Sequence, residues 1–494
     1  MDLSEAAGDG DLETIRALLD AGADIRYMKP HGYTVMIDVM HGRPILEDQQ
    51  LIPVLRLLIE GGADLNAVSD YGESALSVTS RVGRFDAVGL LLEAGADPTP
   101  LEWSLLHRAV ALGSFEDVRE RIELGDDLSA RDRWNRTPWL LCLQTRDPAK
   151  AELLLTSGAD LNDLGRCGKT PLMLAIMDHD STMLHWLLEK GVDPNVTDEF
   201  GGTALIEAAG NGDAECVRLL LNAGANALLG SDTSTPIKSA GNLEVARMLV
   251  RAGADISDVD ESVRDELTKR PRKDLIDSSP KDYHAAKHRI FGIANPQLMN
   301  LPFWQAMVAC GTGAYSARSQ FESEDFHGPA IWCFDRFGKS FTELLDGRVI
   351  EIAGEHEDYY DQDFCIYNDV IVHRGDGTFD IYGYPKDVFT PTDFHTATLV
   401  GNAIYIIGNL GYGGERRFGV TQVYRLDAET LTMESVETTG SPPGWIHGHR
   451  AKLVGNLIEV TGGEVCRVIG REECLEDNDR RFVLDLGTMM WSTK

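Results

Sequence analysis

At 494 residues, with 43% hydrophobic and 25% charged residues, the chain has the make-up of a multidomain globular protein, not of a disordered or fibrous one. Its 79 acidic residues against 46 basic ones give a formal net charge of −33, which disfavours nucleic acid and anionic membrane and is compatible with basic partners. Eight scattered cysteines lack Cys-x-x-Cys or zinc-finger spacing, and no apolar run has the length of a signal peptide or membrane span, so the expected home is the cytoplasm.

The first half repeats. "Gly-Ala-Asp" and its variants stand at Gly22, Gly62, Gly95, Gly125, Gly158, Gly191, Gly224 and Gly253, with a dominant step of 33. Positions seven, four and three before each Gly are mostly apolar, as in Val88/Leu91/Leu92 and Val217/Leu220/Leu221. That spacing gives one helical face, and the Gly ends the helix because it lacks a Cβ. Thr-Pro-Leu-like starts at Thr137, Thr170, Thr203 and Thr235 cap the next helix, with Pro or another residue in its first turn.

Period, cap and helix face together resemble ankyrin repeats over residues 1–258, about eight of them. The resemblance implies stacked helix pairs, with hairpin tips along one edge and a concave binding surface. Three features depart from the pattern. The second unit carries the insertion "HGRPILEDQQLIP", the last is three residues short and reads as a cap, and Arg121 takes an apolar position in the fourth. Arg121 either extends its stem outward or contacts a partner.

Tip residues His31, Tyr71, Trp134, Cys167 and Phe200 precede the caps. Tyr71, Trp134 and Phe200, with Arg133 beside Trp134 and with Arg121, are the candidate partner-binding residues. Packing on a neighbouring finger is the competing role for the aromatics. "GRCGKTPL" ends like a phosphate-binding loop, but Asp163 occupies the place of its first Gly and no strand precedes it.

Residues 259–329 form a charged, helical connector. Within it "NLPFWQAMVACGTGAYSARSQF" predicts a helix with Phe303, Trp304, Met307 and Val308 inward, although its glycines weaken the case.

The last third, 330–494, repeats with a period of 54. Gly347, Gly401 and Gly455 align, as do Leu345, Leu399 and Leu453, and Gly354, Gly408 and Gly462. His395 matches His449, with Phe341 in the first copy. Four β-rich segments per copy, the second ending at a glycine pair, are similar to kelch blades of the galactose-oxidase type. The resemblance implies an all-β propeller or partial propeller of about three blades, with Gly-Glu replacing Gly-Gly in the first. "AIWCFDRF" at 330–337 is expected to be an edge strand, available to complete the short last blade. Alternatively the fan stays open, and two chains would complete a six-bladed ring as a homodimer.

Alternating turns are expected to gather the loops "EHEDYYDQDFCIY", "NLGYGGERRFG" and "GEVCRVIGREECLEDNDR" at the end where the blade crossovers lie. His356, Glu357, Asp358, His395, His447 and His449 are the candidate metal ligands there, weighed against structural or solvated roles. The leading reading is a non-enzymatic, protein-binding scaffold without a cofactor. The alternatives are a metal-dependent enzyme on the loop face, or an acidic inhibitor of a basic toxin or effector.

Overall fold

The computed structural model describes residues 2–41, 50–176, 181–231, 233–322, 329–358, 361–470 and 472–494. The insertion of the second repeat lies largely outside the described residues, as do Tyr359 and Tyr360. The chain divides into two compact units, residues 1–254 and 255–494.

In the first unit the repeats form helix pairs, the last one excepted, for example Ala75–Arg81 with Phe85–Glu93 and Ala204–Gly210 with Ala214–Asn222. All eight repeat glycines have φ between 82° and 107°. This left-handed turn lets the next N–H reach back to a helix carbonyl, as Ala96 does to Leu91 and Ala225 to Leu220. Thr137 and Thr203 accept from Leu140 and Ile206 as helix caps. Of the apolar stripe, Val88, Leu91, Val217 and Leu220 are fully buried between neighbouring repeats. Leu92 and Leu221 are half-buried. The shortened last repeat replaces its first helix by a turn at 236–239 before the helix Leu243–Arg251.

Arg121 is explained by a second departure. The residue after the repeat glycine is Ala or Val in seven units and Asp126 in the fourth. Arg121 donates to both Asp126 carboxylate oxygens, at 2.8 and 2.6 Å. The pair closes the helix end from within.

The second unit begins with the connector. Helices Glu261–Thr268, Pro280–Ala286, Pro302–Cys310 and Ala314–Phe321 belong to it. The expected single helix is broken at Gly311, whose φ of 73° ends the third of these. Phe303, Trp304, Met307 and Val308 are all buried, in one core with Trp332, Tyr367, Ile371 and Ile381 of the strand region. Trp304 stacks on Trp332 with ring centroids 4.7 Å apart.

Three antiparallel sheets follow as open, unclosed blades. The first has strands Ser340–Glu343, Val349–Ile352, Val370–His373 and Phe379–Gly383, extended at its edge by Gln297–Leu298. The second has Thr396–Val400, Ala403–Ile407, Val423–Asp427 and Met433–Ser435. The third has Arg450–Val454, Leu457–Thr461, Phe482–Asp485 and Met490–Thr493, with Thr439–Gly440 parallel to the last.

Three expectations are corrected here. Residues 330–337 form only isolated bridges, Ile331 to His288 and Phe337 to Glu355, and no edge strand. The last blade completes its own fourth strand with Met490–Thr493. The first hairpin turn has five residues where the others have two, so Leu345 falls in the turn and is fully exposed. Thr342 pairs with Ile350 as Leu399 pairs with Ile404 and Leu453 with Ile458. Four residues before each of these stand Gly338, His395 and His449, so Gly338, not Phe341, is the counterpart of the two histidines.

The glycines that close the second strands admit a neighbouring backbone. A Cβ on Gly354 would lie 2.8 Å from the Phe337 carbonyl oxygen, and one on Gly408 would lie 2.5 Å from that of Ile446. In the third blade Gly463 takes this role, its Cβ position being 2.4 Å from the His447 oxygen, while Gly462 is open.

Two outcomes are expected in urea unfolding of the full chain. Arg121→Leu or Asp126→Ala alone should each cost about 0.5–1.5 kcal/mol by stranding a half-buried charge, and the double variant should recover most of it. Additive losses would deny the pairing. Gly401→Ala, at positive φ with open space, should cost about 1–2 kcal/mol. Gly408→Ala should cost roughly 3 kcal/mol or more, because strain and carbonyl overlap add.

Candidate functional site

The fingers between repeats are built alike. In each, the N–H of the first residue donates to the carbonyl of the fifth: Lys29 to Tyr33, Ser69 to Glu73, Asp132 to Arg136, Gly165 to Lys169 and Asp198 to Gly202, at 2.7 to 3.0 Å. The candidate tip residue stands third in every finger. Adjacent fingers are joined by main-chain bonds from Asp70 to His31 and from Glu199 to Cys167. Each joint has a glycine next to the tip residue, Gly32 or Gly168, where a Cβ would approach the next finger to 3.2 Å.

The tips differ in what they present. Tyr71 is 66% exposed and touches the His31 ring, and Phe200 is 75% exposed. Trp134 is half-buried, and its Nε1–H donates to the Ser77 carbonyl at 3.0 Å. Its indole lies 5.2 Å from the Arg81 guanidinium, 5.6 Å from that of Arg166 and 6.0 Å from that of Arg133. Arg133 also donates to the Gly72 carbonyl at 2.5 Å. Arg81 and Arg166 carry no spacing signal in the sequence, since they lie 53 and 32 residues from Trp134. Arg121 is held by Asp126, away from the tips in sequence and on a helix.

The loop end of the kelch-like blades is more ordered than expected. The acidic loop after Gly354 forms a hairpin, Glu355–Asp358 with Asp361–Ile366. The third-blade loop forms Glu464–Ile469 with Glu472–Asp477, flanked by Trp445–His447. The second-blade loop meets both blade crossovers and the third-blade hairpin. Asp393 accepts from Gly411 N–H at 2.7 Å, Trp445 donates to Leu410 at 2.9 Å, and Arg416 pairs with Glu473 at 2.9 Å.

His395 and His449 are structural links between blades. Their Nε2 atoms lie 2.8 and 2.9 Å from the hydroxyls of Ser340 and Thr396. Burial holds both imidazoles neutral, with pKa values lowered to about 3. His447 is lowered to about 4 by burial and by Arg416. His356 is buried, with Nδ1 3.3 Å from the Asp335 carbonyl, and Glu357 is exposed. The Asp358 side chain lies outside the described residues. Among the described residues no group of three or more His, Cys, Asp or Glu side chains is placed to hold a metal ion.

Glu355 is the unusual acid. It is 5% exposed, and burial followed by the carboxylates of Asp393 and Glu357 pushes its pKa up to about 7.

A profile of ankyrin repeats, in three copies, matches residues 106–198 and 178–260. A 90-residue stretch is 38% identical to the Rab9 effector protein with kelch motifs of Rattus norvegicus, covering 17% of this chain and 22% of that protein. The chain joins ankyrin repeats to a kelch-like region. A 75-residue stretch of this chain is 33% identical to Kelch domain-containing protein 3 of Homo sapiens, 15% of this chain and 19% of that protein. Ankyrin repeat protein R664 of Acanthamoeba polyphaga mimivirus is 33% identical over 98 residues, 19% of this chain and 57% of that protein. The chain thus spans about a fifth of the length of its kelch relatives. The ankyrin repeat domain of Bcl-3 is matched over 51% of this chain and 98% of that one, at 22% identity and a TM-score of 0.24. Among the described residues no helix is long and apolar enough to cross a membrane.

The raised Glu355 value fixes the sign of a pH effect. The unfolded carboxyl ionises near 4.5, whereas the folded one holds its proton up to about 7, so stability falls as pH rises between those values. Glu355→Gln cannot ionise. Its stability relative to the parent chain should therefore rise from pH 4.5 to 7.5 and then level off, as read from urea midpoints. A difference independent of pH would remove this account.

Proposed function

We propose that the chain is a protein-recognition scaffold whose ankyrin finger row is the primary contact surface, with the kelch-like loop face as a second. The observation that carries this reading is the common finger geometry, which mounts Tyr71 and Phe200 outward on hydrogen-bonded turns. Exposed aromatic rings on a preorganised frame lose little conformational freedom on binding, so more of their buried area appears as affinity. A relative named as an effector of Rab9 supports a protein as the partner class. The loop face contributes ordered hairpins, a surface suited to shape recognition.

A photo-crosslinking residue placed at Tyr71 or Phe200 should capture protein adducts in cells. The same residue at Glu120, on the helix Phe115–Glu123, should capture far fewer. An adduct of twice the chain mass would identify a second copy of this chain as the occupant. Equal or greater capture at Glu120 would move the contact surface off the finger row.

A further inference from the structure

The row of fingers is not uniform in charge. The second residue of successive fingers is Pro30, Asp70, Arg133, Arg166 and Glu199. The two arginines converge with Arg81 on the half-buried Trp134 ring, three guanidiniums within 6.0 Å of one centroid. Arg81 has a carboxylate partner, Glu73, at 3.2 Å, and the nearby Arg131 has Asp163 at 2.6 Å. Among the described residues neither Arg133 nor Arg166 is paired with a carboxylate; Arg133 bonds a main-chain carbonyl and Arg166 is exposed. Two uncompensated like charges are therefore held together against one ring, an arrangement that a bound anion relieves.

The rest of the row says what kind of anion fits. Exposed Leu164, at 42%, lies in sequence just before Arg166, and Tyr71 and Phe200 belong to fingers before and after the arginine pair. We propose that the Trp134 finger and its neighbour bind an acidic peptide segment, its carboxylates on Arg133 and Arg166 and its flanking apolar side chains towards Tyr71 and Phe200. This rests on the scaffold reading and assigns that surface a partner chemistry. It runs against the chain's overall sign. At physiological salt, charges beyond about 8 Å are largely screened, so this cluster and not the net −33 governs a ligand seated on it.

The test uses the full chain and two labelled probes, oligoglutamate and oligolysine, with fluorescence anisotropy at low and physiological salt. Oligoglutamate should bind, more weakly as salt rises. Charge reversal of both arginines, Arg133→Glu with Arg166→Glu, should weaken it at least about tenfold. Trp134→Phe should have a smaller effect. Arg119→Glu, on an outer helix, should have none, and circular dichroism should show all variants folded. Unchanged oligoglutamate binding in the double reversal, an equal effect of Arg119→Glu, preference for oligolysine, or no binding would each overturn the proposal. Failure here with crosslinking retained at Tyr71 and Phe200 would discard the acidic ligand alone. Loss of both would discard the finger row as the contact surface.

Discussion

The exposed chemistry of the ankyrin unit hangs on a buried ion pair. Arg136 and Asp132 are 2% and 4% exposed, and they close the finger that carries Trp134. A buried pair gains stability only when its remaining donors are satisfied. Here the Arg136 guanidinium bonds Asp132, the Ser80 carbonyl and hydroxyl, and the Gln144 side chain. The finger is thereby tied to the helix Ala75–Arg81, two repeats away in sequence. Trp134 then meets Ser77 and Arg81 on that same helix, so the aromatic–arginine cluster is a consequence of how Arg136 is satisfied.

The kelch-like unit solves a related problem with different parts. Asp369 accepts from the Trp332 indole and from Arg336, whose guanidinium lies 3.5 Å from the Tyr367 ring centroid. Trp332 in turn stacks on Trp304 of the connector helix. The connector is thus part of the first blade's core. Between blades, Ser340–His395 and Thr396–His449 bonds repeat the same joint, and glycines admit the neighbouring backbone beside it. The first blade keeps the joint's hydroxyl, on Ser340, but carries Gly338 where the others carry histidine.

Charge acts at two ranges in this chain. The excess of acids sets solubility and long-range repulsion. Local pairing sets the sign felt at a contact, and it differs between Asp70, the Arg133–Arg166 pair and Glu199 along one row of fingers. A partner read from net charge alone would have the wrong sign at the arginine pair.

The repeating framework is legible in the amino-acid order alone. Helix stripes, capping threonines and left-handed glycines act within one repeat, so periods of 33 and 54 exposed them directly. The tip residues were also placed, because the fingers are short and regular. Which residues meet across repeats emerges only once the repeats are stacked. Arg81 and Arg166 join Trp134 from 53 and 32 residues away, and Arg121 is claimed by Asp126. The acidic loop after Gly354 is a hairpin because its two halves find each other's main chain, which its side-chain composition does not encode. The histidines became joints between blades for the same reason: a hydroxyl 53 or 55 residues away is a neighbour only after the sheets have stacked.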